Sequence, residues 1–557
     1  MLFNSYIFIF LFLPAVLAGW YGLNRAKLYR TACLFLSGMS LWFYAYFNLK
    51  YLLLILGSVV MNYGISALIA AWEKRPHSEA QSAPAADPGR DALSGARAMR
   101  LFRILGVSAN LALFFYFKYF DFFIENVNAL FRTDWPLRHI LLPLGISFFT
   151  FQQLSFIIDR TLGRAEHYPF IEYLTFVTFF PQLIAGPIVL YDEMMPQFAD
   201  PAKRRFDSDS FARGIVLFII GLSKKVLIAD SLAAPADFGF ANPWHMDTVT
   251  GLLVLASYSM QLYFDFSGYS DMACGLAKMF NITLPVNFDS PFRAESFHGL
   301  WRRWHMTLTR FFTRYVYIPL GGSRCGEARH LANIMIVFTL SGLWHGAAWT
   351  FVVWGALTGL IIIAEDKAGA LLSRILSSAG KTPPASRDSH AGQSRLPRLF
   401  GRARAALFFM LTFLFFRAES LSDAWLFFKN LFVFRLPGFV FLTARTVAPA
   451  EFYVLTKAVS LKAPQYSDAL SLVLWISLLF IAGIALYCPK NARAIAEMGL
   501  VPETGSSAGA SPAAPERKAS DGGVRLFTRK RLVLSALLFL WCVLSLSSVS
   551  RFLYFNF

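Results

Sequence analysis

IMIVFTLSGLWHGAAWTFVVWGALTGLIII, residues 334–363, holds no Asp, Glu, Lys or Arg, and its one titratable side chain is His345. A bilayer crossing needs about 20 mostly apolar residues. The run is read as two short crossings, 331–346 and 348–366, meeting beside Leu343-Trp344-His345-Gly346. Ionisable groups at membrane depth are costly, so one that persists is a functional candidate by default. An imidazole with an ordinary pKa near 6.5 takes a proton from a thiol, a hydroxyl or water at neutral pH. A hydrogen-bonded packing histidine is the competing reading of these residues alone.

The rest of the chain has the same character. Of 557 residues, 56% are hydrophobic and 17% aromatic, while only 15% are charged. Soluble domains average about 25% charged residues, which places this chain among all-α polytopic membrane proteins. The net charge of +18 does not mark a nucleic-acid binder. Its basic residues fall in the gaps between apolar segments, as cytoplasmic loops require. Five cysteines without CxxC or ligand spacing give neither a disulfide framework nor a metal site. Residues 2–22 lack the basic start of a cleaved signal peptide and are read as a retained helix.

Further crossings are expected at 31–48, 50–72, 104–124, 139–159, 211–231, 248–266, 405–417, 468–487 and 532–549, twelve in all. Segment 168–190 is broken by Pro181 and Gly186-Pro187 and is read as re-entrant, since irregular backbone at depth must be covered by protein. Gaps 73–103, 367–404 and 488–531 carry six, eight and eight Lys/Arg. Setting them in the cytoplasm puts both termini in the periplasm. Residues 417–465 then fall outside despite six basic and three acidic residues, and are read as a pair of surface helices. No internal repeat is visible, which counts against a transporter.

The chain turns polar between 258 and 330. Tyr263-Phe264-Asp265-Phe266-Ser267-Gly268-Tyr269-Ser270-Asp271 interleaves two carboxylates with aromatics. Six residues apart, they do not share a helix face, which favours structural hydrogen bonding over an acid/base pair. Leu284 to Phe292 reads as a structured loop. From Trp301 to Tyr315, helical spacing gathers Trp301, Trp304, Leu308, Phe311, Phe312 and Tyr315 into one apolar stripe. Arg303, Arg310 and Arg314 lie opposite, with Arg302 to one side and His305 at the margin. This is the pattern of a basic interfacial helix, its arginines meeting lipid head groups, carboxylates or a donor's phosphates.

Four blocks in order carry a resemblance: Phe180 to Ile188, Asp265 to Asp271, Trp301 to Leu308, and Tyr317 to Arg324 with Gly342 to Gly346. Together, across about 143–355, they resemble the membrane-bound O-acyltransferase (MBOAT) family, in its alginate and peptidoglycan O-acetylating branch. The resemblance implies a helical bundle of about twelve spanning helices in which funnels from both faces meet at a thin partition. It implies helices at 1–130, a catalytic core at 131–366, a cytoplasmic loop at 367–404 and helices again at 405–557. The family's catalytic histidine falls on His345, and His305 matches its second recurring histidine. The implied donor is cytoplasmic acetyl-CoA, with no metal, and Arg302, Arg303, Arg310, Arg324 and Arg329 are candidates for its phosphates. The implied partners are a periplasmic SGNH-type acetyltransferase, a polysaccharide acceptor and membrane lipid.

The closing Phe552-Leu553-Tyr554-Phe555-Asn556-Phe557 resembles the F-x-Y-x-F motif of the small partner of the family's D-alanylating member. By that analogy Tyr554 is a covalent acyl relay; the competing reading is an aromatic belt residue at the membrane surface. Peptidoglycan or another glycan is the alternative acceptor to an alginate-like polymer. A non-catalytic channel or flippase for lipid-linked sugars would explain the hydrophobicity and the polar centre, but not the four ordered blocks.

Overall fold

The α1–α2 hairpin sets the grain of the bundle, and each later helix is placed by the ends it touches. The computed structural model describes residues 1–74, 88–378, 395–435, 438–447, 449–488, 491–497, 529–547 and 553. Tyr554 and most of the loop expected at 488–531 lie outside the described residues. Among the described residues every regular element is helical.

A π-helical stretch, Phe8–Phe12, leads into α1 (Leu13–Arg25), followed by α2 (Tyr29–Ala45), α3 (Lys50–Glu73), α4 (Pro88–Lys118) and α5 (Phe120–Phe131). Then come α6 (Ile146–Thr161), α7 (Phe170–Thr178), α8 (Phe180–Leu183), α9 (Tyr191–Ala199) and α10 (Ser208–Ser223). A second π-helical stretch, Lys224–Ala229, precedes α11 (Asp230–Ala241) and the long α12 (Thr248–Met279). The site is built on α13 (Phe297–Trp301), α14 (Met306–Phe312), α15 (Glu327–His345) and α16 (Trp349–Ser378). Behind it lie α17 (Arg395–Arg417), α18 (Leu421–Asn430), α19 (Gly438–Ala444), α20 (Tyr453–Lys462), α21 (Ser467–Leu486), α22 (Ala492–Glu497) and α23 (Arg529–Leu544).

Two faces follow from which ends meet. The α1–α2 turn, the end of α3 and the start of α4 define a first face; the α2–α3 turn and the end of α4 define a second. The Tyr21 hydroxyl donates to the Met279 carbonyl at 2.7 Å, which puts the end of α12 on the first face. Arg160 pairs with Glu73, so α6 ends on the first face and starts, at Ile146, on the second.

Among the described residues six helices have the length and apolar composition to cross a membrane: Phe8–Arg25, Lys50–Glu73, Gly95–Lys118, Trp349–Ile375, Leu396–Arg417 and Pro464–Leu486. The other crossings read from the sequence are shorter, or are sheltered by neighbours and carry polar groups. The crossing expected at 139–159 is the helix Ile146–Thr161, because Pro136 and Pro143 hold the preceding chain out of helix. The gaps expected at 73–103 and 367–404 are partly helical, since α4 begins at Pro88, α16 runs to Ser378 and α17 starts at Arg395. Segment 168–190 is broken at Phe179 between α7 and α8, and its ends meet where the Tyr191 hydroxyl donates to the Glu166 carbonyl at 2.9 Å. It therefore enters and leaves on one face, with its floor of Phe179, Phe180 and Leu183 fully buried.

Backbones of α10 and α12 lie almost in contact. A Cβ at Gly221 would meet the Gly268 carbonyl at 2.5 Å, and one at Gly214 the Gly275 carbonyl at 2.7 Å. Small residues repeated along one face let membrane helices approach this closely. Gly221→Val should therefore lower the unfolding midpoint of the detergent-solubilised protein, at a cost of about 1–3 kcal/mol for overpacking. A thermal melt against wild type checks this.

Candidate active site

His345 is the last residue of α15, where helical carbonyls lack intrahelical partners. The neighbouring helices supply them. The Lys118 ammonium at the end of α4 donates to the Trp344 and His345 carbonyls at 2.6 and 3.0 Å. The Tyr119 hydroxyl donates to the Leu343 carbonyl at 2.9 Å. A cation at a helix C-terminus also complements its dipole. The imidazole is buried in an aromatic box, with ring centroids 4.9 Å from Trp344, 5.3 Å from Trp354 and 5.2 Å from Phe416. The following Gly346 is required by packing, since a Cβ there would meet the Phe351 ring at 2.1 Å.

The second imidazole is close. The His305 ring lies 6.2 Å from that of His345, centroid to centroid, and is equally buried. The continuous basic helix read from 301 to 315 is not what forms. His305 takes a left-handed backbone, φ 43°, and caps α14, so the chain turns sharply between α13 and α14. The apolar stripe is buried as its spacing implied, with Trp301, Trp304, Leu308, Phe311 and Phe312 all in the core.

Asn287 explains the turn. Its Oδ1 accepts from the Thr307 hydroxyl at 2.9 Å and meets His305 Nδ1 at 3.0 Å, while its main-chain carbonyl accepts from Met306 N–H at 2.9 Å. Thr307 Oγ1 in turn accepts from Ile188 N–H at 3.0 Å, so its own proton points to Asn287. The Asn287 oxygen therefore accepts throughout, and its amide nitrogen donates to Ser270 at 3.3 Å. His305 must carry its proton on Nδ1, which makes Nε2 the basic nitrogen.

Two clefts approach this pair. One is lined by His345, Trp344, Lys118 and the 142–148 segment, and lies toward the second face. The other is lined by Lys224, Lys278, Asp271, Arg493 and Asn287, and lies toward the first. One cleft thus reaches His345 directly, and the other stops one hydrogen bond short of His305.

The arginines singled out by sequence lie elsewhere on the first face. Arg310 is clamped by Glu193 and the Ile188 carbonyl, and Arg303 lies 3.8 Å from Asp289. Arg329 donates to the Leu320 carbonyl at 3.1 Å, and neither Arg302 nor Arg324 lines either of these clefts. Asp265 and Asp271 do not act on each other: each pairs with its own lysine, Lys225 and Lys224, both at 2.6 Å. Sequence reasoning passed over those lysines within an apolar stretch, although charge at that depth was a signal. Lys118, inside the crossing expected at 104–124, carried the same signal, while Asn287 lay in a loop whose partners the sequence does not show.

A family model described as MBOAT, membrane-bound O-acyltransferase family, matches residues 147–379. The chain is 39% identical over 450 residues to the peptidoglycan O-acetyltransferase of Helicobacter pylori, covering 76% of this chain and 78% of that one. It is 36% identical over 445 residues to the probable alginate O-acetylase AlgI of Pseudomonas aeruginosa, covering 78% and 75%. The chain belongs to the membrane-bound O-acyltransferase family. A more distant relative, the teichoic acid D-alanyltransferase of Bacillus subtilis, is 29% identical over 228 residues, 40% of this chain and 58% of that one. As an MBOAT the protein is a multi-pass membrane acyltransferase that uses an acyl donor, and a non-catalytic channel or flippase is set aside.

Asn287→Leu removes the acceptor from His305 Nδ1–H and Thr307. Leaving a buried donor unmatched costs about 1–3 kcal/mol. The unfolding midpoint of the purified protein should fall by a corresponding amount, and its acyl-transfer rate should fall as His305 loses its fixed tautomer; a thermal melt and a turnover assay against wild type check this.

Proposed function

We propose that the protein takes acetyl from acetyl-CoA on the first face and passes it to an exported, alginate-like polysaccharide on the second. The first face is taken as the cytoplasmic side of a bacterial inner membrane. The observation that carries this reading is the pair of imidazoles 6.2 Å apart between clefts that lie toward opposite faces. The Met1 ammonium donates to the Phe43 carbonyl on the second face, in keeping with a periplasmic N-terminus.

In this reading Lys224, Lys278 and Arg493 face the donor in its cleft. Arg302, Arg303, Arg310, Arg324 and Arg329, elsewhere on the same face, add to its positive potential, which raises the local concentration of an anionic coenzyme. The Tyr554 phenol oxygen attacks the thioester carbonyl as His345 takes the phenol proton. The carbon–sulfur bond breaks, and the coenzyme leaves as a thiol with that proton. His305, with Nε2 basic, supplies a second acceptor beside the reacting atoms. The tyrosyl ester then gives its acetyl to a hydroxyl of a periplasmic SGNH-type partner, the phenol recovers a proton, and the partner esterifies the polymer. Acceptor choice rests with the partner. Peptidoglycan is the second reading, favoured by the 39% identity to a relative of that name.

His345→Ala should lower acetyl transfer from acetyl-CoA by about 10²–10⁴-fold, the usual worth of a positioned base; unchanged turnover of the purified protein would refute the assignment. Tyr554→Phe should abolish polysaccharide acetylation in cells while the protein stays inserted at normal levels. Polymer acetylated as in wild type would remove the relay.

A further inference from the structure

Within the bundle, Asp265 meets three groups. Its Oδ1 lies 2.6 Å from the Lys225 ammonium, which also reaches Asp230 at 2.8 Å. Its Oδ2 accepts the main-chain N–H of Leu553 at 2.8 Å, across 288 residues of sequence. Asp265 and Lys225 are both almost fully buried, and so is Leu553. Asp265 stands near the middle of α12, so Leu553 lies deep between the two faces rather than at either surface.

The approach to that point is held as well. At the end of α23 the Tyr6 hydroxyl donates to the Val543 carbonyl at 2.8 Å. Glu451 accepts from Trp541 Nε1 at 2.8 Å and from the Ser545 hydroxyl at 2.9 Å. Tyr6 precedes α1 on the second face, so the chain reaches that face at Val543 and lies at mid-depth by Leu553. Leu546, between them, is buried too. A main-chain N–H at such depth needs a protein acceptor. A carboxylate gives a stronger bond than a neutral oxygen.

Lys225 accounts for a carboxylate being there. Buried Asp265 and partly exposed Asp230 share one ammonium, which leaves Asp265 with acceptor capacity toward the incoming N–H. The π-helical stretch Lys224–Ala229 turns consecutive lysines toward different acids, Lys224 to Asp271 and Lys225 to Asp265. Asp265 itself lines neither cleft.

We propose that Asp265, held by Lys225 and Asp230, is a docking site that anchors the chain at Leu553 inside the bundle through its N–H, and so is a positioning residue for acyl transfer through Tyr554. The docking stands on the contacts above, and its link to catalysis rests on the relay reading.

Leu553→Pro deletes the N–H alone among the backbone donors, and Leu553→Ala controls for the lost side chain. Hydrogen–deuterium exchange on the full-length protein in nanodiscs reads the amides that follow residue 553. Exchange there should quicken at least tenfold in Leu553→Pro and in Asp265→Ala, and stay within about twofold of wild type in Leu553→Ala. Polysaccharide acetylation should fall at least tenfold in the first two. Equal exchange in the proline and alanine variants overturns the docking site, and does so whether or not Asp265→Ala folds. Faster exchange without loss of acetylation keeps the dock but overturns its positioning role. Tyr554→Phe separates the two ideas: if that variant still acetylates while Leu553→Pro exchanges faster, the relay fails and the dock stands.

Discussion

The side-chain oxygen of Asn287 is the point on which the site depends. Through it, a loop after α12 is joined to His305, to Thr307 at the start of α14, and by way of Thr307 to Ile188 in the re-entrant segment. None of these segments is held in place by regular helix packing alone. In a low-dielectric interior an unsatisfied polar group is expensive, so a network with every member matched is also a rigid one. The result is a single protonation pattern on His305, imposed from two residues away.

The same rule governs the charges. Lipid offers no water to soak up an ammonium or a carboxylate, and each buried ion found here is met by protein. Lys118 caps the helix that ends in His345, while Lys224 and Lys225 meet Asp271 and Asp265. Removing one partner of such a pair costs about 3–5 kcal/mol, because the other is left uncompensated. Polar residues in this bundle are therefore structural braces first, and the chemistry uses what they hold still.

Much of this could be read from the chain. The uncharged run around His345 gave both the membrane class and the first candidate site residue, and the breaks at Pro181 and Gly186-Pro187 marked the re-entrant segment. What escaped was whatever depends on distant contacts. Lys118 meets the carbonyls of Trp344 and His345 across more than two hundred residues, and nothing in its own neighbourhood says so. Asn287 sat in plain view in a loop whose partners were unknown. The helix from 301 to 315 was continuous in its periodicity yet broken in fact, because the tertiary bond from Met306 N–H to Asn287 outweighs local helical preference.

The left-handed backbone of His305 carries a consequence of its own. A residue other than glycine in that region carries a conformational penalty of about 1–3 kcal/mol, and keeps it only when its surroundings insist. The ring is thus aimed by the main chain more than by rotation about its side-chain bonds. The backbone here accepts most readily a residue that tolerates the same twist, glycine first and asparagine or aspartate next. Evolution can trade the chemistry at this spot only among residues that can also bend the chain.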